Sequence, residues 1–539
     1  MPHRGRLLAC AALAGALAAG SIRADAQFDQ ARVTPEPPAV AARFPDPAVT
    51  YPTPAFAAGR TTLPSHDEAE AFVAAVAARA PHTVTVERIG TSQQGRAMLL
   101  VTLAAPGGPS AARPTVLVLA QQHGNEPAGG EAALALIDRL AGDASGLLDR
   151  VNVYVMPRAN PDAADRFVRA TASGADVNRD HLLLQTPEAR AIAAVSRRVR
   201  PDVVLDLHEF TAGDRWVKKY GVVQHYDALL QPATVGNLEP SIAREATRHF
   251  LTPVRQRLTA DGLRVFTYHT TSPDPSDRVV SAGGVQPDTG RNVNGLRQAV
   301  SLLIETRGVG VGRAHLGRRV HTHVAAALTV VGQAAARGSR LLAVTRAADA
   351  AVTAAACAGL LTVAAEHTPT RMPMTFLDAV TGEDRRIVVP WRSADTLRVV
   401  RARPRPCGYL LDATETAAVE RLRLLGVQVT PITAARRWDM ETYRIVAQTA
   451  GARQDARGAI DDGAPIAVLS VRRLRRQDMV PPGTWFVDLA QPLGTLAAAA
   501  LEPDSQNSFA ASALIAAPDR TLRRVMTPPP AGAFGSAVR

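Results

Sequence analysis

The sequence has little of three things: cysteine, aromatic residues and long hydrophobic runs. Only three of its 539 residues are cysteine, and aromatic residues make up 4%. Cys357 and Cys407, the two outside the first 26 residues, do not make a metal site built on thiolates. No segment beyond residue 26 has the ~18 unbroken apolar residues of a membrane-spanning helix. These absences exclude a cysteine-based metal site and an integral membrane segment in the mature chain.

What is present is the composition of a large globular protein. The chain is 46% hydrophobic and 20% charged, and its length suggests two or three domains. The formal net charge is +12, mostly from arginine, which points to a solvated surface near anionic polymers or acidic substrates. The densest basic run, 471–476, has no interleaved aromatic residues, so we expect no nucleic-acid partner.

The first 26 residues have the pattern of an export signal. Arg4 and Arg6 precede the apolar stretch 7–20, and Ala24-Asp25-Ala26 has the form of a cleavage site. We therefore predict a signal peptide, cleaved after Ala26, and a secreted or periplasmic protein. In an oxidising compartment Cys357 and Cys407 could pair, and two separate thiols are the alternative.

The rest of the chain divides into three parts by pattern. Residues 27–61, rich in proline and alanine, are predicted to be an extended lead-in, and residues 341–539 a C-terminal accessory region that contains β-strands. Between them, residues 62–340 alternate short apolar runs with helical patterns. The runs at 115–120, 151–156, 203–207 and 301–304 are nearly continuous, as in strands buried on both faces. This alternation predicts an α/β fold, a mixed twisted sheet with helices on both faces.

Two motifs in this central part could hold a metal ion. His123 and Glu126 are three residues apart and can converge on one ion, and His208 follows a predicted buried strand. Each has an ordinary explanation when taken alone, a helix cap for the pair and a core histidine for His208. Together they supply two imidazoles and a carboxylate, and catalytic zinc takes three such ligands with one open position for water. We therefore expect one zinc ion.

Two further segments carry polar residues that suit catalysis. Glu305 is expected directly after a buried strand, where it is either paired with an arginine such as Arg307 or a general base. In Asp176-Val-Asn-Arg179, Arg179 suits bidentate binding of a carboxylate, and Asp176 could fix the tautomer of a ligating histidine. Taken alone, this segment is more often a loop or a cap.

Taken together, the His123–Glu126 motif, the Asp176–Arg179 segment, His208 and Glu305 resemble the zinc metallocarboxypeptidase family. Three flanking segments strengthen the resemblance, which covers roughly residues 62–325: they are Gly90–Arg96, Asn160-Pro-Asp162 and Ile304-Glu-Thr-Arg307. The resemblance implies the roles of the site residues. His123, Glu126 and His208 match the family's zinc ligands, and Asp176 matches the partner of the first histidine. Asn178 and Arg179 match the residues that bind a substrate's terminal carboxylate, and Glu305 matches the general base. Arg169 matches the arginine that stabilises the oxyanion, and Arg166 is the alternative for that role.

The sequence also departs from the family's digestive members. Asn125 stands where they have arginine, and neither Tyr220, Tyr226 nor Tyr268 has the spacing of their substrate-capping tyrosine. Instead, Arg291 and Asn292 lie in the stretch before Glu305 where the family has its specificity pocket. They either contact the substrate or form a simple turn.

Three alternative functions stay open at this point. His-Gly-Asn-Glu126 is also the form in related deacylases of N-acyl amino acids, and an exported enzyme could instead cut an amide in peptidoglycan stem peptides. All of these substrates carry a free carboxylate. The signal peptide and the Gly90–Arg96 segment favour the peptidase. The non-enzyme alternative is a binding protein on an inactive hydrolase fold.

Overall fold

The structure is a computed structural model that describes residues 33–142, 146–459 and 465–534. The predicted signal peptide lies outside these residues. The helices are α1 (Pro38–Ala41), α2 (His66–Arg79), α3 (Pro127–Ala141), α4 (Pro161–Arg166), α5 (Pro187–Val199), α6 (Arg215–Tyr220), α7 (Pro240–Glu245), α8 (Thr252–Ala260), α9 (Gly290–Gly295), α10 (Leu316–Arg337), α11 (Ser339–Ala354), α12 (Thr416–Leu424), α13 (Gly494–Leu501) and α14 (Pro518–Thr521).

The strands fall into four sheets. They are β1 (Val84–Thr91), β2 (Ala97–Leu103), β3 (Thr115–Ala120), β4 (Asn152–Met156), β5 (Val203–Thr211), β6 (Val222–Gln224), β7 (Ala228–Pro232), β8 (Val265–Thr267), β9 (His269–Thr271), β10 (Val280–Ala282), β11 (Val300–Val309), β12 (Leu360–Asp378), β13 (Asp384–Pro404), β14 (Gly408–Leu411), β15 (Thr430–Pro431), β16 (Arg436–Ala452), β17 (Gln454–Asp455), β18 (Gly458–Ala459), β19 (Pro465–Val480), β20 (Trp485–Asp488) and β21 (Leu522–Val525).

The central sheet is mixed, as the sequence predicts. Its eight strands run in the order β1-β2-β4-β3-β5-β11-β7-β8. Strands β4, β3, β5 and β11 pair with one another in parallel, whereas the pairs β1–β2, β2–β4 and β11–β7 are antiparallel. The carboxyl ends of β3, β5 and β11 therefore meet at one edge, which is where α/β sheets bind ligands.

Helices cover both faces of this sheet. Along β3, Val116 and Val118 point into a core formed with α2, α3, α8 and α10, whereas Leu117 and Leu119 point into a second core with α5. Because both faces are buried, strands of this kind need apolar residues at nearly every position. This explains the nearly continuous apolar runs of the sequence.

Helix α2 begins with a capping box at Ser65. The Ser65 side chain accepts a hydrogen bond from the Glu68 backbone N–H, and the Glu68 carboxylate accepts one from Ser65 N–H. This reciprocal capping box satisfies donors that a helix start otherwise leaves without partners.

Two strands are longer than the apolar runs suggested. His208 and Glu305 were expected just beyond their strands, but β5 continues to Thr211 and β11 to Val309. Backbone pairing continues through both residues, which are direct neighbours in the register of β5 and β11. Since side chains alternate along a strand, both point to the same face.

The C-terminal third is built on two long hairpins. The first hairpin joins β12, which has 19 residues, to β13, which has 21. Many of their side chains are half-exposed on both faces, so the strands lack the clean alternation that marks a one-sided sheet. This hairpin pairs with β6 and β10.

The second hairpin, β16 and β19, belongs to the six-stranded sheet β15-β20-β14-β21-β16-β19. Beyond the end of β16, the short pair β17 and β18 extends it, and Asp455 to Arg457 there line the same cavity as residues of the central sheet. Nearby in sequence, Cys357 and Cys407 are joined by a disulfide. Within the described ranges, every helix is too short or too polar to cross a membrane.

Candidate active site

Three buried side chains converge at the carboxyl edge of the central sheet. His123 follows β3, Glu126 directly precedes α3, and His208 lies in β5. The Nδ1 atoms of the two histidines are 3.1 Å apart, and each lies 2.8 Å from one oxygen of Glu126. The structure therefore brings together all three residues that the sequence predicts as metal ligands.

The loop that carries His123 and Glu126 requires glycine at position 124. A Cβ there would lie 1.9 Å from the backbone carbonyl of Ala163 in α4. Only glycine permits this approach of two backbones. The glycine of the His-Gly-Asn-Glu motif thus packs the ligand loop against the neighbouring segment.

Asp176 fixes the orientation of His123. Its Oδ1 lies 3.0 Å from His123 Nε2, and a carboxylate only accepts, so Nε2 carries the proton and Nδ1 keeps a lone pair. Arg169 donates from Nη2 to the other oxygen of Asp176 at 2.8 Å. Burial would raise the pKa of Asp176, but the charge of Arg169 and the hydrogen bond from His123 outweigh it and hold the pKa well below its usual range.

Asp206 contacts His208 as Asp176 contacts His123, and the sequence analysis did not identify it. Its Oδ1 lies 2.9 Å from His208 Nε2, and both side chains are 1% exposed. Asp206 precedes His208 by two positions on a buried strand, so both residues point to one face. An acid at that spacing is the signal that could have identified it.

The arrangement of donors fits a metal cation. With Nε2 of each histidine facing a carboxylate, the two Nδ1 lone pairs point at one another across 3.1 Å, beside the Glu126 carboxylate. Two facing lone pairs repel unless a cation or a proton lies between them. Separations of this size allow one ion to contact all three atoms at the ~2.0–2.2 Å of zinc–nitrogen and zinc–oxygen bonds.

Glu305 lies beside this group without a partner. Among the described residues no hydrogen bond or ion pair reaches its carboxylate, and Arg307, the partner considered above, pairs with Glu36 instead. The side chain is 8% exposed and lines a cavity of about 160 Å³ together with His123 and Glu126. Burial and the charge of Glu126 raise the pKa of Glu305 to about 8.

The predicted carboxylate-binding residues also line this cavity. Asn178 accepts from Gly290 N–H at 2.8 Å, and its Nδ2 lies 3.1 Å from His208 Nε2. Arg179 donates from Nη2 to Asp455 of the C-terminal hairpin at 2.7 Å, and its Nε has no partner among the described residues. Arg457 donates to the same Asp455 oxygen at 2.6 Å. Sequence analysis gave no indication that the hairpin reaches the site.

Of the other arginines singled out in the sequence, Arg169 and Arg291 line the cavity and Arg166 does not. Arg169 lines the cavity, with Nη1 3.4 Å from Glu126 Oε1. Arg166, its competitor, is exposed on α4 and is not among the cavity residues. Arg291 lines the cavity, whereas Asn292 holds the loop together by donating to the carbonyls of Gly284 and Gln286.

Tyr268 lines the cavity, although its spacing in the sequence argued against it. Burial and the charge of Glu305 raise its pKa, so the hydroxyl stays protonated at neutral pH. It follows β8 at the edge of the central sheet, and its backbone N–H donates to Leu230. Strands β8 and β9, which flank Tyr268 in the sequence, bring it to the cavity although its spacing before Glu305 differs from that of the family's tyrosine.

The Gly90–Arg96 segment supports the site from behind. Ser92 donates to Asp162 Oδ1 at 2.7 Å, and Arg96 binds both Asp162 and Asp165 of α4. Asn160 caps α4 and donates to the Gln122 carbonyl at 3.1 Å. The Gly90–Arg96 segment therefore holds α4, the helix against which Gly124 packs.

The fold and these contacts define a class of protein. A convergent His-Glu-His group, an unpaired buried glutamate and a guanidinium beside them, at the carboxyl edge of a mixed sheet, are the parts of a metallohydrolase.

The comparisons narrow this class. Residues 69–221 match the zinc carboxypeptidase family (Peptidase_M14). Carboxypeptidase 2 of Trichophyton rubrum is 28% identical over 90% of this chain and 93% of its own, and carboxypeptidase 2 of Trichophyton equinum is 28% identical over 84% and 85%. Among solved structures, a metallo-carboxypeptidase of Burkholderia cenocepacia covers 50% of this chain and 69% of its own at 20% identity, with a TM-score of 0.37. Residues 69–221 are thus similar to a zinc carboxypeptidase domain, and the chain is a hydrolase of peptide bonds.

Proposed function

We propose that this protein is a zinc metallocarboxypeptidase that removes the last residue of a peptide with a free C-terminal carboxylate. The observation that carries the proposal is the unpaired carboxylate of Glu305 beside the His123, Glu126 and His208 group. A buried carboxylate without a partner is costly for stability, so it is retained for chemistry.

His123, Glu126 and His208 would hold one zinc ion, with Asp176 and Asp206 orienting the two imidazoles. Zinc bound there would act as a Lewis acid on the scissile carbonyl and make water a stronger nucleophile at neutral pH. Its positive charge would also counteract the raised pKa of Glu305 and favour the carboxylate form.

Glu305 is proposed as the general base. Its carboxylate would take a proton from the attacking water and return it to the leaving amine nitrogen. Arg169, which Asp176 holds through Nε and Nη2 and whose Nη1 lies beside Glu126, would stabilise the oxyanion of the tetrahedral state.

Asn178 and Arg179 would bind the terminal carboxylate of the substrate. Arg179 presents a guanidinium whose Nε has no partner among the described residues. Asp455 occupies one of its other nitrogens, so a substrate carboxylate would compete with Asp455 for this donor.

We further propose that the protein is secreted or periplasmic, with its signal peptide removed after Ala26, and that it acts on peptides and not on nucleic acid. The leading 26 residues support the first part, and the cavity supports the second, because it carries side chains that suit a metal ion and a carboxylate.

The test is the release of free C-terminal amino acids from a mixed peptide library, with and without a zinc chelator. We expect release that stops with the chelator and returns with added zinc. Zinc-loaded protein that releases no amino acid from any peptide would contradict the peptidase, and N-acyl amino acids and peptidoglycan stem peptides would then be assayed as the alternative substrates.

A further inference from the structure

Arg291 is a buried cation that lines the active-site cavity and pairs with no acid among the described residues. It is 4% exposed, and within the described part of the chain no carboxylate lies within 4.0 Å of it and its Nε has no hydrogen-bond partner. Its Nη2 donates only to neutral oxygens, to Gly284 O at 2.8 Å and Thr234 Oγ1 at 3.2 Å. Burial lowers its pKa to about 10, which still leaves it charged at neutral pH.

The other arginines of the cavity differ from Arg291. Arg169 pairs with Asp176, and Arg179 and Arg457 both pair with Asp455. Arg215 also lacks an acidic partner among the described residues, but it is only partly buried, and water can solvate it. Arg291 is therefore the cavity arginine with the greatest need for an anion that the chain does not supply.

The surrounding backbone is fitted to this guanidinium. A Cβ on Gly283 would lie 2.1 Å from Gln231 Oε1 and 2.9 Å from both terminal nitrogens of Arg291, so a larger residue there would have to displace these side chains. Leu303, Thr289 and Tyr268 complete this part of the cavity wall. The groups at hydrogen-bond distance from Arg291 are thus neutral, and the charges of Glu305 and Arg179 act on it only from farther away.

We propose that this part of the cavity is a subsite for an acidic side chain, so that the enzyme prefers peptides that end in glutamate or aspartate. The inference rests on the proposed carboxypeptidase function. An acidic C-terminal residue has two carboxylates, and the cavity has two guanidinium groups for them, Arg179 for the terminal carboxylate and Arg291 for the side chain. An apolar side chain would displace water from Arg291 without making hydrogen bonds in its place, and a basic side chain would be repelled.

The test uses the full-length, zinc-loaded protein and two peptides that differ only in ending with glutamate or glutamine. Charge-assisted hydrogen bonds predict that kcat/KM is about 10- to 100-fold higher for the glutamate peptide. In Arg291→Gln this ratio should fall to near one. Arg297→Gln is the matched control, because Arg297 also has a pKa lowered to about 10 by burial but does not line the cavity. It should keep the wild-type ratio.

Binding supplies a readout that does not depend on turnover. Calorimetric titration of the same peptides into Glu305→Gln should show the glutamate preference, and Glu305→Gln combined with Arg291→Gln should lose it. Folding is checked by thermal melting. Because Arg291 is an uncompensated charge, its removal should leave the melting temperature unchanged or raised, and Arg291→Met is a second neutral variant.

Three results would overturn the inference or its basis. A wild type that prefers leucine or lysine at the C-terminus overturns the acidic subsite. An Arg291→Gln variant that loses the same factor for both peptides shows that Arg291 binds the terminal carboxylate instead. A wild type that releases nothing overturns the proposed function, and the calorimetric preference then decides the role of Arg291 by itself.

Discussion

Arg179 and Asp455, which are 276 positions apart in the sequence, form an ion pair of 2.7 Å inside the active-site cavity. Both side chains are largely buried, and Arg457 shares the same Asp455 oxygen. Burial would raise the pKa of Asp455, but the charges of Arg179 and Arg457 outweigh it and hold the pKa well below its usual range. The carboxylate of the C-terminal hairpin thus occupies the arginine that is proposed to bind the substrate.

Replacing Asp455 by asparagine should lower KM. The variant removes a charge that competes with the substrate carboxylate for Arg179, and a charge-assisted hydrogen bond of this kind corresponds to about tenfold in affinity or more. KM for a peptide and for its C-terminal amide should be measured together, because only the free acid should gain. Asp439→Asn, on the same hairpin but paired with Arg475 on the surface, is the control. A higher KM would show that Asp455 positions Arg179 instead of competing for it.

Replacing Glu305 by glutamine should separate metal binding from catalysis. Glutamine keeps the shape of the side chain but cannot accept a proton, so kcat should fall by a factor of about 10²–10⁴. The zinc content, measured by atomic absorption, should stay at one per chain, because Glu305 is outside the His-Glu-His group. Glu126→Gln provides the contrast, since it should lose zinc and activity together. Full activity in Glu305→Gln would remove Glu305 from the mechanism.

Asp206 should influence zinc affinity through His208. Without the carboxylate, the imidazole loses the partner 2.9 Å from its Nε2 that sets its orientation. Asp206→Asn should therefore weaken zinc binding by about 10- to 100-fold, measured by competition with a fluorescent chelator. Asp202→Asn tests for a general effect of changing an acid near β5, because Asp202 contacts Thr115 and Thr345 at the opposite end of that strand. Equal zinc affinities in wild type and Asp206→Asn would show that His208 is held by its packing alone.

The disulfide between Cys357 and Cys407 should stabilise the C-terminal third. It closes a segment with a sequence separation of 50 residues. Chain entropy alone predicts that its loss costs about 4 kcal/mol of the free energy of unfolding. The measurement is urea unfolding of the Cys357→Ser, Cys407→Ser double variant against the wild type, with and without reductant. Reductant should shift only the wild type, and identical midpoints in all samples would contradict a stabilising bond.

Glu36 should make the fold sensitive to acid. Burial would raise its pKa, but hydrogen bonds and charges from His315 and Arg307 outweigh it and lower the pKa to about 2. Because the folded value is below the ordinary 4.5, the group stabilises the fold above pH 4.5, and this contribution is lost as the pH falls toward 2. A shift of this size corresponds to about 3 kcal/mol.

The check is the difference in unfolding free energy between wild type and Glu36→Gln, measured from pH 7 to pH 2. The difference should be large at pH 7 and shrink below pH 4.5. A difference that does not depend on pH would assign the effect of the substitution to packing instead of charge.

The parts of the site that could be predicted from sequence are those in which motifs follow individual strands. His123, Glu126 and His208 follow or end predicted strands, and the topology of parallel strands brings such residues together. Asp206 could have been included, because a period of two on a buried strand places it beside His208. The fold class followed from alternation of buried strands with helices.

The parts that could not be predicted depend on contacts between distant segments. Asp455 and Arg457 reach the cavity only because a hairpin of the C-terminal third returns to the central sheet, and a sequence pattern contains no measure of that return. Tyr268 was set aside on spacing, which changes whenever a loop between strands changes length. The missing acid of Arg291 is likewise a property of its three-dimensional surroundings, which residue types alone do not reveal.

Because the C-terminal hairpin forms part of the cavity wall, that part of the wall is synthesised after the rest of the site. The strands that carry the His-Glu-His group and Glu305 have been synthesised once β11 ends at Val309. The hairpin that bears Asp455 and Arg457 comes much later, and its sheet includes β21, which ends at Val525. A nascent or prematurely ended chain would therefore have the edge of the sheet that bears the His-Glu-His group before it has this wall, so the cavity takes its shape only after its floor is complete.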